Sequence, residues 1–261
     1  MTLAAMAVHG TPDNNRVPIT RRCLQSMAES QKWDNHSLYI IDNGSIDEMK
    51  RLLDDAKHWL PFTLITNDHN AGTARGVNRG WMNRVPGQSC LKCDDDIVYH
   101  RNGWLDVLEE MVNRDPNIGI VSCKRRDLAE SPHYPQGHPY LSHLISLPHQ
   151  AGQRWLHVER VNHCIGSSQL YSSKLLDKIG YLYQMGGLYG FDDSLAAVRC
   201  EVAGMMSVFA CGIDIEHIDP GDTPYQTFKH EHSGAMMEKF AATAREYMSG
   251  ARSIYNGPND E

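Results

Sequence analysis

The sequence predicts an α/β protein with a mostly parallel central sheet. Two patterns predict it. Short apolar runs alternate with helix-compatible stretches through the first half of the chain. Polar clusters at 11–15, 42–45, 67–75 and 94–96 close successive apolar runs, and open parallel sheets bind ligands at the carboxyl ends of their strands. A length of 261 residues suits one sizeable α/β domain, or one domain with an extension.

Taken in order, residues 3–8 form an apolar run closed by a turn-rich loop from His9 to Asn15. A helix is expected over 19–29, with Thr20 as its cap and Leu24 and Met27 facing the core. Residues 37–41 read as the second strand and 46–59 as the helix after it. A strand over 62–66, a loop over 67–72 and a helix over 73–83 follow. The run Cys90-Leu91-Lys92-Cys93 then ends in Asp94-Asp95-Asp96, with a helix over 103–113 and a strand over 118–122 beyond. Residues 124–154 carry Pro132, Pro135, Pro139 and Pro148, which break any long element, so a long loop is expected, either beside an active site or as a plain surface excursion. Strands over 155–164 and 208–211, helices over 172–179, from Asp192 to about Ala203 and over 235–248, and a disordered stretch over 256–261 complete the reading.

Bulk properties narrow the function. The formal net charge is -7, which argues against a general binder of nucleic acid or anionic membrane. No run of 18 apolar residues is present, so no membrane span is expected. The first ten residues read as a strand rather than a leader, and seven scattered cysteines fit a reducing cytoplasm. Cys90 and Cys93 form a lone C-x-x-C inside a strand-like run and are expected as core thiols.

The Asp triplet is the centre of the functional reading. Three adjacent carboxylates repel one another and are costly to desolvate without a cation. In an extended segment Asp94 and Asp96 share one side, making part of a shell for a hard divalent ion, and oxygen ligands favour Mg²⁺ or Mn²⁺. Such ions keep open positions for phosphates, so a nucleotide diphosphate is the expected partner.

The ordered set of motifs resembles the GT-A glycosyltransferases, and the family 2 group in particular. Asp42-Asn43-Gly44-Ser45 resembles their Asp-x-Gly-Ser strand end. The stretch from Asn70 to Gly80 resembles their Asn-x-Gly-x-x-x-Ala-Arg-Asn-x-Gly, the Asp triplet their D-x-D, and Gly190-Phe191-Asp192-Asp193 with Arg199 and Gly204 their Gly-x-(Glu/Asp)-Asp segment. The resemblance covers roughly residues 3 to 217. It departs at His9-Gly10-Thr11-Pro12, where the family has Pro-x-Tyr-Asn, at Gly76, where Asn is common, and at an Asp-Asp pair in place of Glu-Asp.

What the resemblance implies is a GT-A fold, Rossmann-like, over 1–232, with a nucleotide-binding half over 1–123, an acceptor half over 124–232, and a helix and tail over 233–261. It implies a metal-dependent glycosyltransferase that moves a sugar from a nucleotide-sugar donor, UDP-linked by preference, to a hydroxyl acceptor. That acceptor is a glycan, a protein side chain, a lipid-linked glycan or a modified nucleic-acid base. Donor contacts are implied at His9, Thr11, Asp42, Arg75, Asp94 and Asp95, metal ligands at Asp96, Asp94 and a late histidine, His217. Asp193 falls at the catalytic-base position and Asp192 beside it, giving an inverting transfer. Glycines 186, 187 and 190 are expected to let the backbone approach the acceptor, and Tyr225, Lys229 and His230 to belong to a lid. Two alternatives stay open, a sugar nucleotidyltransferase of related fold and a non-catalytic nucleotide-sugar-binding module.

Overall fold

The computed structural model describes residues 1–126, 143–188, 190–219 and 224–259. Ten strands among them form one sheet. Strands β1 (Thr2–Val8), β2 (Ser37–Asn43), β3 (Thr63–Asn67) and β4 (Ser89–Cys93) run parallel in the order β3-β2-β1-β4. The expected parallel core is therefore present. Beyond it the sheet is mixed. β9 (Ser168–Tyr171) lies antiparallel between β4 and β6 (Ile118–Arg125), and β6 pairs parallel with β10 (Met206–His217). β8 (His157–Val161) and β7 (Leu144–Ser146) add an antiparallel edge, and β5 (Ile97–Tyr99) pairs with the far end of β10.

Helices cover both faces, as the crossover connections of a parallel sheet require. On one side α1 (Arg16–Ser30), α2 (Asp47–Ala56) and α4 (Trp104–Arg114) enclose a core that includes Leu24, Met27, Leu53, Trp104 and Leu108. On the other, α3 (Thr73–Trp81), α5 (Ser173–Ile179) and α6 (Asp192–Val202) bury Val77, Trp81, Leu175 and Ala196. The long α7 (Pro224–Ser249) packs on α6 around Tyr247 and Leu195. No helix among the described residues is long and apolar enough to cross a membrane.

The unusual glycine of the Asn70–Gly80 motif has a packing reason. A Cβ on Gly76 would lie 2.8 Å from Ala7 Cβ, and one on Gly80 would lie 2.8 Å from Ala5 Cβ. These two glycines let α3 lie directly against β1.

Several expectations are corrected. Helix α1 begins at Arg16, three residues before the expected start, because Pro18 sits in the first turn, where its missing N–H removes no helical bond. β9 was not anticipated; it is a four-residue strand with no room for a clear alternation. β10 extends well beyond 208–211, to His217, and β8 is shorter than 155–164. The stretch 256–259 is not loose. Asn256 is buried and forms a bridge with Gly180; its N–H donates to Ile179 O at 2.9 Å and its carbonyl accepts from Tyr181 N at 3.1 Å. Of the expected loop over 124–154, residues 127–142 lie outside the described residues, as do the side chains of Tyr225, Lys229 and His230, whose backbone belongs to α7.

Candidate functional site

The Asp triplet sits where β4 ends, at the carboxyl edge of the parallel core. The strand stops at Cys93 and the chain turns through Asp95 and Asp96 before β5. Strand alternation therefore no longer applies to the triplet. Its carboxylates separate into two ionic clusters instead of sharing one side.

The first cluster gathers around Asp96, which is buried. Its Oδ2 accepts from Arg16 Nη1 and Nη2 at 3.0 and 3.1 Å and lies 3.3 Å from His217 Nε2. Asp219 joins it: ligand atoms of Asp96, His217 and Asp219 all lie within 4.8 Å of one another. Two ligands on one octahedral ion with bonds near 2.1 Å are about 3 Å apart when adjacent and about 4.2 Å apart when opposite. The trio is therefore close to the spacing of a single divalent-ion site, and two carboxylates plus an imidazole suit a divalent ion. The expected ligands Asp96 and His217 fall in this trio; Asp94 does not, and Asp219 stands in its place. Asp95 turns into the protein, its Oδ2 accepting from Thr20 Oγ1 at 2.7 Å and its Oδ1 lying 3.6 Å from Arg16.

The second cluster is built on Lys92, whose side chain is 4% exposed. Its ammonium lies 3.7 Å from Asp94 Oδ1 and 3.1 Å from Asp192 Oδ2. Burial alone would lower the lysine pKa, but Asp192, Asp94 and Asp193 together hold it well above its ordinary value. Asp193 stands at the start of α6, its Oδ2 accepting from Gly166 N at 2.9 Å and its Oδ1 from Ser194 N at 2.7 Å. His163 Nε2 is 3.3 Å from Asp193 Oδ2. Burial pushes the Asp193 carboxyl up; the hydrogen bond and charge of His163, with the charge of Lys92, outweigh it and leave Asp193 well below the usual carboxylate range. The second cluster is also tied together through the backbone, since Asp94 N donates to Ser167 O at 3.0 Å, in the loop that carries His163 and Gly166.

Two strained residues aim these groups. Asn15 (φ 48°) and Phe191 (φ 60°) are the non-glycine residues with positive φ among the described residues. Each immediately precedes a helix, and the first residue of each helix, Arg16 or Asp192, projects into a cluster. Such a conformation costs about 1–3 kcal/mol and marks positions where the surroundings impose the backbone.

The remaining expected residues are placed as follows. Asp42 is buried at the end of β2 and its Oδ1 accepts from Ser45 N at 2.9 Å, closing the turn. His9 Nδ1 is 2.8 Å from Asn43 O and Gly10 N donates to Ser45 Oγ at 3.0 Å, so the loops after β1 and β2 are tied together; Thr11 N donates to Asn14 Oδ1 at 2.9 Å within the first of them. Arg75 lines a groove of about 760 Å³ with Asn67, His69, Arg79 and Asn83. Arg199, taken from the motif comparison, is fully buried and donates to Ile254 O, Tyr181 O and Ile179 O. It anchors α6 to the C-terminal stretch. Cys90 and Cys93 are buried thiols, as expected.

Sequence reasoning missed Arg16, Lys92, His163 and Asp219. Two of them carried a signal. Lys92 is a charge inside an otherwise apolar strand, and a buried lysine must face carboxylates. Asp219 lies two residues beyond His217, just past the end of β10. Arg16 and His163 carried none, because each reaches its partner only through the fold.

Residues 12–180 match the family model described as Glycosyl transferase family 2. Among solved structures, the chain is similar to a mannosyltransferase from Pyrobaculum calidifontis in complex with GDP-Man and Mn²⁺, with 16% identity and a TM-score of 0.64 over 87% of this chain and 59% of that one. It is also similar to S. aureus TarS 1–349, with 13% identity and a TM-score of 0.60 over 85% of this chain and 62% of that one. GalNAc-T7 with UDP, GalNAc and Mn²⁺ aligns at 13% identity and a TM-score of 0.60 over 83% of this chain and 43% of that one. These likenesses show the fold, and the chain spans about three-fifths of the length of the first two structures. No curated protein matches it in sequence.

Proposed function

Because the chain belongs to glycosyl transferase family 2, we propose that it transfers a sugar from a nucleotide-sugar donor, UDP-linked by preference, to a hydroxyl acceptor with inversion at the anomeric carbon. The observation that carries this reading is the pairing of the two clusters at the end of β4: a divalent-ion trio at Asp96, His217 and Asp219, and an acidic pair at the start of α6 linked to Asp94 through Lys92. Solved structures of this fold that hold GDP-Man with Mn²⁺, or UDP with Mn²⁺, support the choice of ligands.

In this reading Asp96, His217 and Asp219 hold a Mn²⁺ or Mg²⁺ ion. Its chemistry is to offset the charge that develops on the departing diphosphate. Asp193 is the general base. The acceptor oxygen bonds to the anomeric carbon as the bond to the diphosphate breaks, and the hydroxyl proton passes to Asp193. A carboxylate held ionised by His163 and Lys92 is a weak base toward an unreacted alcohol. It takes the proton as bond formation makes the hydroxyl acidic. Asp192, fixed against Lys92, orients the acceptor. Asp42 and Arg75 serve the nucleotide, and His9 and Thr11 line its entrance.

The test is release of nucleotide diphosphate from a panel of UDP- and GDP-sugars with and without Mn²⁺, in the wild type and in Asp96→Ala. Metal-dependent release from one donor, lost in Asp96→Ala, is expected. No release from any donor, together with no Mn²⁺-dependent nucleotide binding by calorimetry, overturns the proposal.

A further inference from the structure

The atom that anchors the candidate metal trio already has a cation on it. Both terminal nitrogens of Arg16 donate to Asp96 Oδ2, and Nη1 lies 3.8 Å from Asp219 Oδ2. The arginine side chain is 7% exposed and the Asp96 side chain 3%. This is a built contact. Arg16 is the first residue of α1, its N–H donates to Asn14 Oδ1 at 3.3 Å, and the left-handed Asn15 before it sets its direction. A guanidinium does not lose its proton in a protein, so the charge is permanent. Asp96 Oδ2 thus has two guanidinium nitrogens and His217 Nε2 around it, so a metal ion on that oxygen competes with the guanidinium.

We propose that Arg16 is a resident cation of the metal pocket, which a divalent ion displaces from Asp96 and Asp219 and which then pairs with the donor diphosphate. This rests on the metal-dependent reading above and adds an order to it. Metal alone meets a competitor that is covalently attached and always in place. Metal arriving with a nucleotide diphosphate brings an anion to which the guanidinium moves, since planar guanidinium groups suit phosphate oxygens as well as carboxylates. Ion and donor therefore bind together, each strengthening the other by the same factor. An enzyme so arranged holds little metal until donor is present.

The test is Mn²⁺ binding followed by loss of the free-ion signal in electron paramagnetic resonance, with no turnover involved. Wild type, Arg16→Met and Arg16→Lys are titrated with Mn²⁺ alone and with UDP or GDP present. Arg16→Met is expected to bind Mn²⁺ alone at least tenfold more tightly than wild type, and to lose most of the tightening that the nucleotide gives the wild type. Arg16→Lys keeps the charge as a point donor and is expected between the two. If Arg16→Met does not fold without metal, the Lys variant decides, and an affinity equal to wild type counts against the proposal. Equal or weaker Mn²⁺ binding by Arg16→Met overturns the displacement and leaves the metal site standing. No Mn²⁺ binding by any of the three proteins, with or without nucleotide, overturns the metal-dependent reading and this proposal with it.

Discussion

Lys92→Met removes the ammonium between the Asp triplet and the acidic pair while nearly keeping the side chain's volume. Removing one partner of a buried ion pair costs about 3–5 kcal/mol, because the other charge is left desolvated. The geometry places the cost. The Asp94 side chain is 33% exposed and regains water, whereas that of Asp192 is 10% exposed and 3.1 Å from the lost nitrogen. The loss therefore falls mainly on one carboxylate, and we expect about 3 kcal/mol, near the lower end of that range. In a chain of this size that is a fall in Tm of roughly 6–12 °C. The assay is urea unfolding of wild type and variant from pH 7 to pH 2. Asp193 has a folded pKa below its unfolded one, so its contribution to stability is fully present above the ordinary carboxylate range and lost as pH falls through the lowered value. Without the Lys92 charge Asp193 protonates more readily, so the deficit of the variant shrinks as the pH falls below the ordinary carboxylate range. A difference under about 1 kcal/mol at pH 7 that does not change with pH would refute the clamp.

Three further outcomes follow from the same geometry. Asp193→Asn keeps an oxygen for only one of the N–H groups of Gly166 and Ser194, which bond different carboxylate oxygens, and cannot take a proton; transfer should slow by about 10²–10⁴-fold with nucleotide affinity unchanged in calorimetry. Gly166→Ala puts a Cβ 2.6 Å from Lys92 Nζ and 3.0 Å from Asp193 Oδ2. It should reduce transfer and cost about 1–3 kcal/mol in urea unfolding, and wild-type values for both would show that the loop yields freely. Ending the chain at residue 253 removes the Ile254 carbonyl on buried Arg199 and the Asn256 bridge to Gly180. It should lower stability by about 2–4 kcal/mol in the urea midpoint, with an unchanged midpoint counting against the anchor.

The parallel half of the fold was legible because its signals are local. Each of the first four strands is a short apolar run, and each ends in a polar cluster that a sequence shows directly. The mixed half was not. β9 has four residues wedged between β4 and β6, and its place follows from pairing partners such as Cys93 and Ser122, far away in the chain. The helix α1 starts before the expected position, with Pro18 in its first turn, where a proline breaks nothing. Asn256 was given to disorder for its position near the end. Its burial depends on hydrogen bonds to Ile179 and Tyr181 that no local pattern encodes.

Apart from Asp219, the carboxylates of the candidate site were read from the sequence and its cations were missed, and one physical reason covers both. Motifs here are runs of acidic residues at strand and helix ends, which can be read in order along the chain. The charges that make those runs tolerable come from elsewhere: Arg16 from the first turn of α1, Lys92 from inside β4, His163 from the loop before β9. They also decide which carboxylate does what. Treated as extended chain, the triplet sends Asp94 and Asp96 to one ion. The turn after Cys93 separates them, and the two buried cations claim one each, Lys92 for Asp94 and Arg16 for Asp96. Three adjacent carboxylates are thus divided between the start of α6, where proton transfer is proposed, and the metal trio, where the leaving group is proposed to sit. A buried lysine two residues before such a triplet, and an arginine at the helix start beside it, are the features to look for when an acidic run is weighed as a metal site.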